Sequence, residues 1–148
     1  MVIGPAGTGK TFSLDAAREA WESTGYRVLG ASLAARAAAE LQNGAGIASQ
    51  TIDRLRMRLA QGHERLDNRS VLVIDETGMV GTRRLAAMLE EARAGGAKVV
   101  LVGDPRQLPE IDAGGLFAAL AHRLGHAELT ENHRQLDPEE LAAVPSCG

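Results

Sequence analysis

Short continuous apolar runs alternate along this chain with longer segments in which apolar residues recur every three or four positions. The short runs are typical of strands buried on both faces of a sheet, and the longer spacing is typical of amphipathic helices. The pattern predicts the end of a strand at 1–3 and further strands at 26–31, 71–74, 99–102 and 127–130. It predicts helices at 10–23, 33–42, 82–95 and 115–124, and one from an N-cap at Ser49 to Gly62.

The order of these predicted elements indicates the fold class. Strands that alternate with helices imply an α/β protein with a parallel sheet and helices on both faces. Asn43 and Gly44 are expected to end the helix at 33–42, Thr82 is expected to cap the helix at 82–95, and 104–115 is expected to be a loop. The length of 148 residues suits one domain.

Composition narrows the class of protein further. No apolar run approaches the ~20 residues of a membrane span, and no signal peptide precedes the first motif, so we expect a cytoplasmic protein without a membrane partner. The one cysteine, Cys147, leaves no disulfide and no cysteine-based metal site. The net charge of −3 argues weakly against tight nucleic-acid binding by this chain alone.

The segment GPAGTGKT at 4–11 fits the phosphate-loop pattern G-x-x-x-x-G-K-[ST] at every fixed position, between a predicted strand and a predicted helix. Its glycines let successive N–H groups point at phosphate oxygens, and the helix that begins at Lys10 adds its positive end. Lys10 is expected to reach the β- and γ-phosphates of ATP, and the Thr11 hydroxyl to bind Mg²⁺. The predicted nucleotide-binding residues are Gly4, Gly7, Thr8, Gly9, Lys10 and Thr11.

A second motif, VLVIDE at 71–76, is a buried strand that ends in two carboxylates. Ligands of open α/β sheets bind at this end of the strands. Asp75 is expected to hold Mg²⁺, and Glu76 to orient and deprotonate the attacking water. A kinase needs no such water activator, so the pair favours nucleotide hydrolysis.

Two further polar residues follow predicted strands. Gln107 can donate and accept hydrogen bonds, which suits a residue that detects a γ-phosphate, although a solvated turn explains it equally well on chemistry alone. Arg134 offers a bidentate fork for phosphate, but an arginine after a strand is usually a surface residue.

Taken in order, GPAGTGKT, VLVIDETGMV, LVGDPRQLPEIDAGGLF and LTENHRQ resemble superfamily 1 DNA helicases of the RecD-like group. The chain is most similar to the helicase region of MobF-type conjugative relaxases, over residues 1 to about 138. The resemblance implies a RecA-like fold in which the strand before Gln107 lies between the phosphate-loop strand and the Asp75–Glu76 strand. It implies that Gln107 senses the γ-phosphate and that Arg134 contacts it near the cleft between two motor domains.

The resemblance also suggests DNA contacts, with single-stranded DNA as the partner. Segment 31–41 occupies the place of the family's first DNA-contacting motif, but the usual threonine is missing and Arg36 is the main polar candidate. Thr51 is a candidate phosphate contact, while Asp53 stands where relatives have histidine. A packing or surface role is at least as consistent with both segments. His63, His122, His126 and His133 show no metal-ligand spacing and are expected at the surface.

The expected organisation is one RecA-like ATPase domain at 1–138, with a truncated N-terminal strand, followed by an unpatterned tail at 139–148. Family members have a second RecA-like domain, which this sequence does not contain, so the full-length protein is expected to supply it. The leading function is an ATP-dependent DNA helicase motor domain of 5′→3′ type. The alternatives are a P-loop ATPase that acts on protein and a truncated ATP-binding remnant without motor activity.

Overall fold

A parallel sheet forms the frame of the molecule. The computed structural model describes residues 2–3, 10–104, 119–120, 122–123 and 127–128. In these parts of the chain the strands are β1 (Val2–Ile3), β2 (Arg27–Ser32), β3 (Ser49–Thr51), β4 (Ser70–Ile74), β5 (Lys98–Gly103) and β6 (Ala127–Glu128). They lie side by side in the order β3-β2-β4-β5-β1-β6, and every pairing is parallel. The sequence-based prediction of a parallel α/β sheet is confirmed.

Four helices connect the first five strands in chain order: α1 (Lys10–Ser23), α2 (Ala35–Ala45), α3 (Ile52–Ala60) and α4 (Thr82–Gly95). Residues 119–120 and 122–123 are also helical, in agreement with the helix predicted at 115–124. The bounds of α1 match the prediction, because the apolar spacing starts directly after the glycine-rich segment and stops before Gly25, whose φ is +90°.

Side chains that alternate along β4 build a separate core on each face of the sheet. Leu72 and Ile74 pack into a cluster with the buried residues of α3 and α4, including Leu55 and Met88. Val71 and Val73 point the other way and pack with the buried residues of α1 and α2. All five residues of β4 are buried, as expected of a central strand covered by helices on both faces.

The sheet register brings three chain segments to one edge. Val2 pairs with Val102, and Ile74 pairs with Leu101, so β1, β4 and β5 end close to the same level. The order places β5 between β1 and β4, as the family resemblance implied. The phosphate-loop segment, the Asp75–Glu76 pair and Asp104 therefore follow neighbouring strands at their carboxyl ends.

The structure corrects the predicted role of Ser49. It is not a helix N-cap but the first residue of β3, and Thr51 caps α3 by accepting a hydrogen bond from the Arg54 N–H at 3.2 Å. Pairing with β2 explains the difference, since the register sets Ser49 against Gly30, where a Cβ would overlap the Ser49 hydroxyl. A three-residue strand whose partner is distant in sequence leaves no periodic signal.

Other boundaries also differ from the predicted ones. Helix α2 continues past Asn43 and Gly44 and ends at Ala45, because Gly46 is the residue that adopts the left-handed conformation, with φ +67°.

Thr82 is the first residue of α4 instead of its cap, and Gly81 occupies the cap position without a side-chain hydrogen bond. Of the strand predicted at 127–130, Ala127–Glu128 form β6, and 129–130 lie outside the described residues. The loop predicted at 104–115 lies, after Asp104, outside the described residues.

Among the described helices, none has both the length and the apolar character that crossing a bilayer requires.

Candidate functional site

Helix α1 begins at the residues that end the phosphate-loop motif. Lys10 is its first residue and is half-buried, and Thr11 is its second and is exposed. Gly4, Gly7, Thr8 and Gly9 lie outside the described residues. Because β1 ends at Ile3, the motif bridges the carboxyl end of a strand and the amino end of a helix, where free N–H groups and the helix dipole favour an anion.

Asp75 lies directly beyond β4, and its main chain extends the sheet by one hydrogen bond. Its N–H donates to the Ala31 carbonyl at 2.9 Å, and its Oδ1 accepts the Glu76 N–H at 2.8 Å. The half-buried carboxylate is therefore fixed between the ends of β2 and β4. Such a position leaves one oxygen with a defined direction for a cation or its water.

Burial raises the pKa of Asp75 above its ordinary value. The Glu76 N–H and the positive charge of Lys10 act in the opposite direction, and the negative charge of Glu40 raises the pKa further. The strand order places Lys10, at the start of the helix after β1, and Asp75, directly after β4, at the same edge of the sheet, with β5 between the two strands. The structure thus brings the phosphate-loop lysine and the β4 aspartate together, as expected if one ligand contacts both.

Glu76 has an unusual backbone. Its φ of 51° and ψ of 38° are left-handed, and among the described residues no other non-glycine residue has a positive φ. A left-handed conformation at such a residue costs on the order of 1–2 kcal/mol and is often found at functional sites. Burial raises the pKa of the Glu76 carboxyl, and the negative charges of Asp75 and Glu40 raise it further. A carboxylate with a raised pKa is a stronger base.

Thr77 holds the turn that follows Glu76. Its side chain is fully buried, and its Oγ1 donates to the Ile74 carbonyl at 2.8 Å. Residues Thr77–Met79 form a 3-10 turn, in which the Met79 N–H donates to the Glu76 carbonyl at 2.9 Å. Sequence reasoning did not single out Thr77. A hydroxyl directly after the acidic pair was the available signal.

Glu40 was also missed. It lies on α2, and its charge acts on both Asp75 and Glu76. Its exposed carboxylate pairs with Arg36, with Nε and Oε1 3.1 Å apart. No local pattern distinguishes this residue from any other exposed helix glutamate, because its relation to the site depends on the packing of α2 beside β4.

The structure tests only part of the predicted site. Lys10, Asp75 and Glu76 lie at the carboxyl edge of the sheet, after strands β1 and β4 that flank β5. Gln107 and Arg134 lie outside the described residues, and their roles stay predictions. His63 and His122 are exposed, as predicted, while His126 and His133 are also outside.

The candidate DNA-contacting residues lie near the ends of β2 and β3. Arg36 is exposed in the first turn of α2, Thr51 is half-buried as the cap of α3, and Asp53 faces Arg84 across 3.4 Å. Two buried polar atoms at this edge have no hydrogen-bond partner among the described residues: Ser32 Oγ, at the end of β2, and Gln50 Oε1 in β3. Sequence reasoning named neither of them.

The residues present fit a nucleotide with Mg²⁺. Mg²⁺ prefers oxygen ligands, and the exposed Thr11 hydroxyl and the directed Asp75 carboxylate supply them. Burial raises the pKa of both Asp75 and Glu76, and nearby negative charges raise it further, so a bound cation would stabilise the charged form of either carboxylate. Lys10 supplies a positive charge that can pair with a negatively charged phosphate oxygen.

Comparison with known proteins identifies a family and several relatives of this chain. The model of the AAA domain family matches residues 1–147. A probable conjugal transfer protein TraA from Sinorhizobium fredii is 52% identical over 134 residues, which are 90% of this chain and 12% of that protein. The ATP-dependent RecD2 DNA helicase of Deinococcus radiodurans is 34% identical over 139 residues, 91% of this chain and 19% of that protein.

A solved structure has the same fold. The helicase domain of Hef from Pyrococcus furiosus superposes with a TM-score of 0.58 at 14% identity, over 93% of this chain and 36% of that one. At this identity the match shows the fold alone. The chain spans about an eighth of the length of its TraA relative.

Proposed function

This chain belongs to the AAA domain family, and on that premise we propose that it is the ATP-binding and ATP-hydrolysing motor domain of a DNA helicase. The relatives confirm its resemblance to RecD-like helicases, and a helicase-type motor domain is the function they support. The proposal rests on one observation above others. Lys10 is far in sequence from Asp75 and Glu76, yet these residues follow strands that end at the same edge of the sheet, where a phosphate-loop protein binds its nucleotide.

Each of these residues has a proposed role. Lys10 binds the β- and γ-phosphate oxygens, and the Thr11 hydroxyl and Asp75 hold Mg²⁺. When bound, MgATP supplies the phosphoryl group, and the cation neutralises part of its charge. Glu76 takes a proton from the attacking water, and its raised pKa makes it a better base for that step.

Gln107 and Arg134 complete the proposed chemistry. The family resemblance assigns γ-phosphate sensing to Gln107 and a γ-phosphate contact to Arg134. Arginines in this role stabilise negative charge that develops on the transferred group. Single-stranded DNA is the proposed substrate of the motor, with 5′→3′ movement by analogy. The names of the TraA relatives support a place in conjugal transfer.

The test is phosphate release by the purified chain at low salt, with and without saturating single-stranded DNA. The proposal predicts slow, Mg²⁺-dependent hydrolysis that DNA stimulates. Hydrolysis that DNA leaves unchanged favours a P-loop ATPase that acts on protein, and nucleotide binding without hydrolysis favours an inactive remnant. A chain that does not bind MgATP at all overturns the proposal.

A further inference from the structure

Helix α1 carries the candidate Mg²⁺ ligand, and the carboxyl end of α2 packs against it at two points. At the first, Arg18 Nε donates to the Ala45 carbonyl at 2.9 Å, and its terminal nitrogens bind Asp15 and Glu22 on its own helix, each at 2.7 Å. Ala45 is fully buried, and a Cβ on Gly46 would lie 3.0–3.2 Å from the Arg18 guanidinium. Arg18 therefore fixes the end of α2 to α1.

The second contact is between Gly44 and Thr11. A Cβ on Gly44 would overlap the Cγ2 methyl of Thr11, and it would lie 3.6 Å from Thr11 Cβ and 3.9 Å from Oγ1. Gly44 lies inside α2, where glycine is one of the least favourable helix formers. No positive φ requires a glycine at this position. The close approach of the Thr11 methyl is therefore the physical reason for the glycine.

The position of this methyl determines where the Thr11 hydroxyl points. Cγ2 and Oγ1 share one Cβ, so a χ1 rotation that moves the methyl also moves the hydroxyl. Threonine in a helix divides between two χ1 rotamers, because its hydroxyl can also bond to a carbonyl of the preceding turn. A surface that contacts the methyl in one rotamer selects one direction for the hydroxyl.

We propose that Gly44 is a positioning residue: the end of α2, held by Arg18, contacts the Thr11 methyl and so directs the Thr11 hydroxyl toward Mg²⁺. This inference rests on the proposed function, in which Thr11 binds the cation of MgATP. It makes α2 a part of the nucleotide site although none of its residues belongs to the phosphate-loop motif.

The test uses Gly44→Ala in the whole chain, with a fluorescent ATP analogue titrated at increasing Mg²⁺ and also in EDTA. The added methyl displaces Thr11 Cγ2, so we expect the Mg²⁺ concentration for half-maximal enhancement of binding to rise about 10-fold or more, as for other outer-shell partners of metal ligands. Affinity in EDTA stays at the wild-type value. Gly81→Ala is the matched control, because a Cβ there meets nothing within 4 Å and φ is an ordinary −61°.

A rescue variant separates positioning from general damage to packing. Thr11→Ser removes Cγ2 and keeps the hydroxyl, and the phosphate-loop pattern accepts serine. With Thr11→Ser as its own baseline, adding Gly44→Ala leaves the Mg²⁺ dependence unchanged. An equal loss in the threonine and serine backgrounds overturns the proposal, as does wild-type Mg²⁺ dependence in Gly44→Ala.

Thermal melting shows first whether each variant folds. If Gly44→Ala does not fold, Arg18→Met decides, since it removes the donor to Ala45 without adding an atom near Thr11. A raised Mg²⁺ requirement supports the proposal, and an unchanged one overturns it. If the wild-type chain shows no Mg²⁺-enhanced binding, the proposed function itself fails, which is a separate result.

Discussion

At the scale of single residues, Glu76 combines a left-handed backbone with a raised carboxyl pKa. Burial is the main cause of the raised pKa, and the negative charges of Asp75 and Glu40 raise it further. Neither feature improves the stability of the unliganded domain. Both are consistent with a carboxylate placed for chemistry.

Glu76→Gln tests this role. The amide keeps the shape and polarity of the side chain but cannot take a proton, so we expect MgATP to bind about as tightly as before and hydrolysis to fall ~10²–10⁴-fold. Single-turnover phosphate release measures the change. Glu90→Gln, on the exposed face of α4, is the control and keeps the wild-type rate. Wild-type hydrolysis by Glu76→Gln contradicts the assignment.

Asp75 gives a prediction about stability and pH. Burial raises its pKa in the folded state, so its contribution to stability is present below its unfolded pKa and is lost as pH rises through the folded pKa. Without Mg²⁺, Asp75→Asn should therefore raise the melting temperature at neutral pH by about 1–4 °C, and the gain should disappear in acid.

Asp67 supplies a control of opposite sign. The Arg69 N–H and neighbouring hydrogen bonds lower its pKa, so its stabilisation is present above the unfolded pKa and is lost as pH falls through the folded value. Asp67→Asn should lower the melting temperature at neutral pH. If both variants move it in the same direction, the electrostatic explanation of the Asp75 site is wrong.

The residues that sequence reasoning found are those whose chemistry is written in a local motif. Lys10, Asp75 and Glu76 each end or begin a recognisable apolar pattern. Glu40 and Gly44 act across α2, and their relation to the site depends on how that helix packs against α1 and β4. Such contacts join residues about 35 positions apart and have no signature in a single sequence.

At the scale of elements, the strongly periodic segments were predicted well. Strand β4 and helix α1 match because every residue or every turn carries the same signal. Strand β3 was missed because its three half-buried residues carry no such pattern. Helix α2 was ended too early because Gly44 resembled a cap, whereas it is a packing position and Gly46 is the left-handed residue.

The 3-10 turn after β4 makes a testable link between element and site. Thr77→Val preserves the shape of the buried side chain and removes its hydrogen bond to the Ile74 carbonyl, which should destabilise the domain by about 1–2 kcal/mol. Since the same turn sets the position of Glu76, hydrolysis should fall more than MgATP affinity. Urea unfolding and single-turnover kinetics measure the two effects.

Thr24→Val is the matched control for that variant. Its hydroxyl also donates to main-chain carbonyls, at 2.9 Å to that of Trp21, but at the exposed end of α1. It should change stability little and leave hydrolysis unchanged. If Thr77→Val lowers stability but hydrolyses at the wild-type rate, the turn does not position Glu76.

At the scale of the whole molecule, the parallel sheet is the frame of a single RecA-like lobe. Translocation needs two RecA-like lobes that close on ATP and alternate their grip on DNA, and the motifs in this sequence are those of one lobe. A second lobe also brings an arginine worth roughly 10³–10⁵ in rate in related P-loop enzymes. With few phosphate contacts, DNA binding by this lobe alone should be weak and sensitive to salt.

We therefore expect the 148-residue polypeptide alone to leave duplexes with a 5′ or a 3′ tail intact, while it binds MgATP and hydrolyses it slowly. A strand-displacement assay with both substrates measures this. Robust ATP-dependent unwinding by the isolated chain would show that copies of it complete each other's sites.

The central claim is that this domain binds MgATP through the phosphate loop and the edge of the sheet. Titration of wild type and Lys10→Ala with a fluorescent ATP analogue tests it most directly. Removing the charge at Lys10 should weaken MgATP binding by about 2–4 kcal/mol, or roughly 30- to 1,000-fold. Lys98→Ala, at the opposite end of β5 beside Tyr26, should bind like wild type. Equal affinity of wild type and Lys10→Ala would contradict the account.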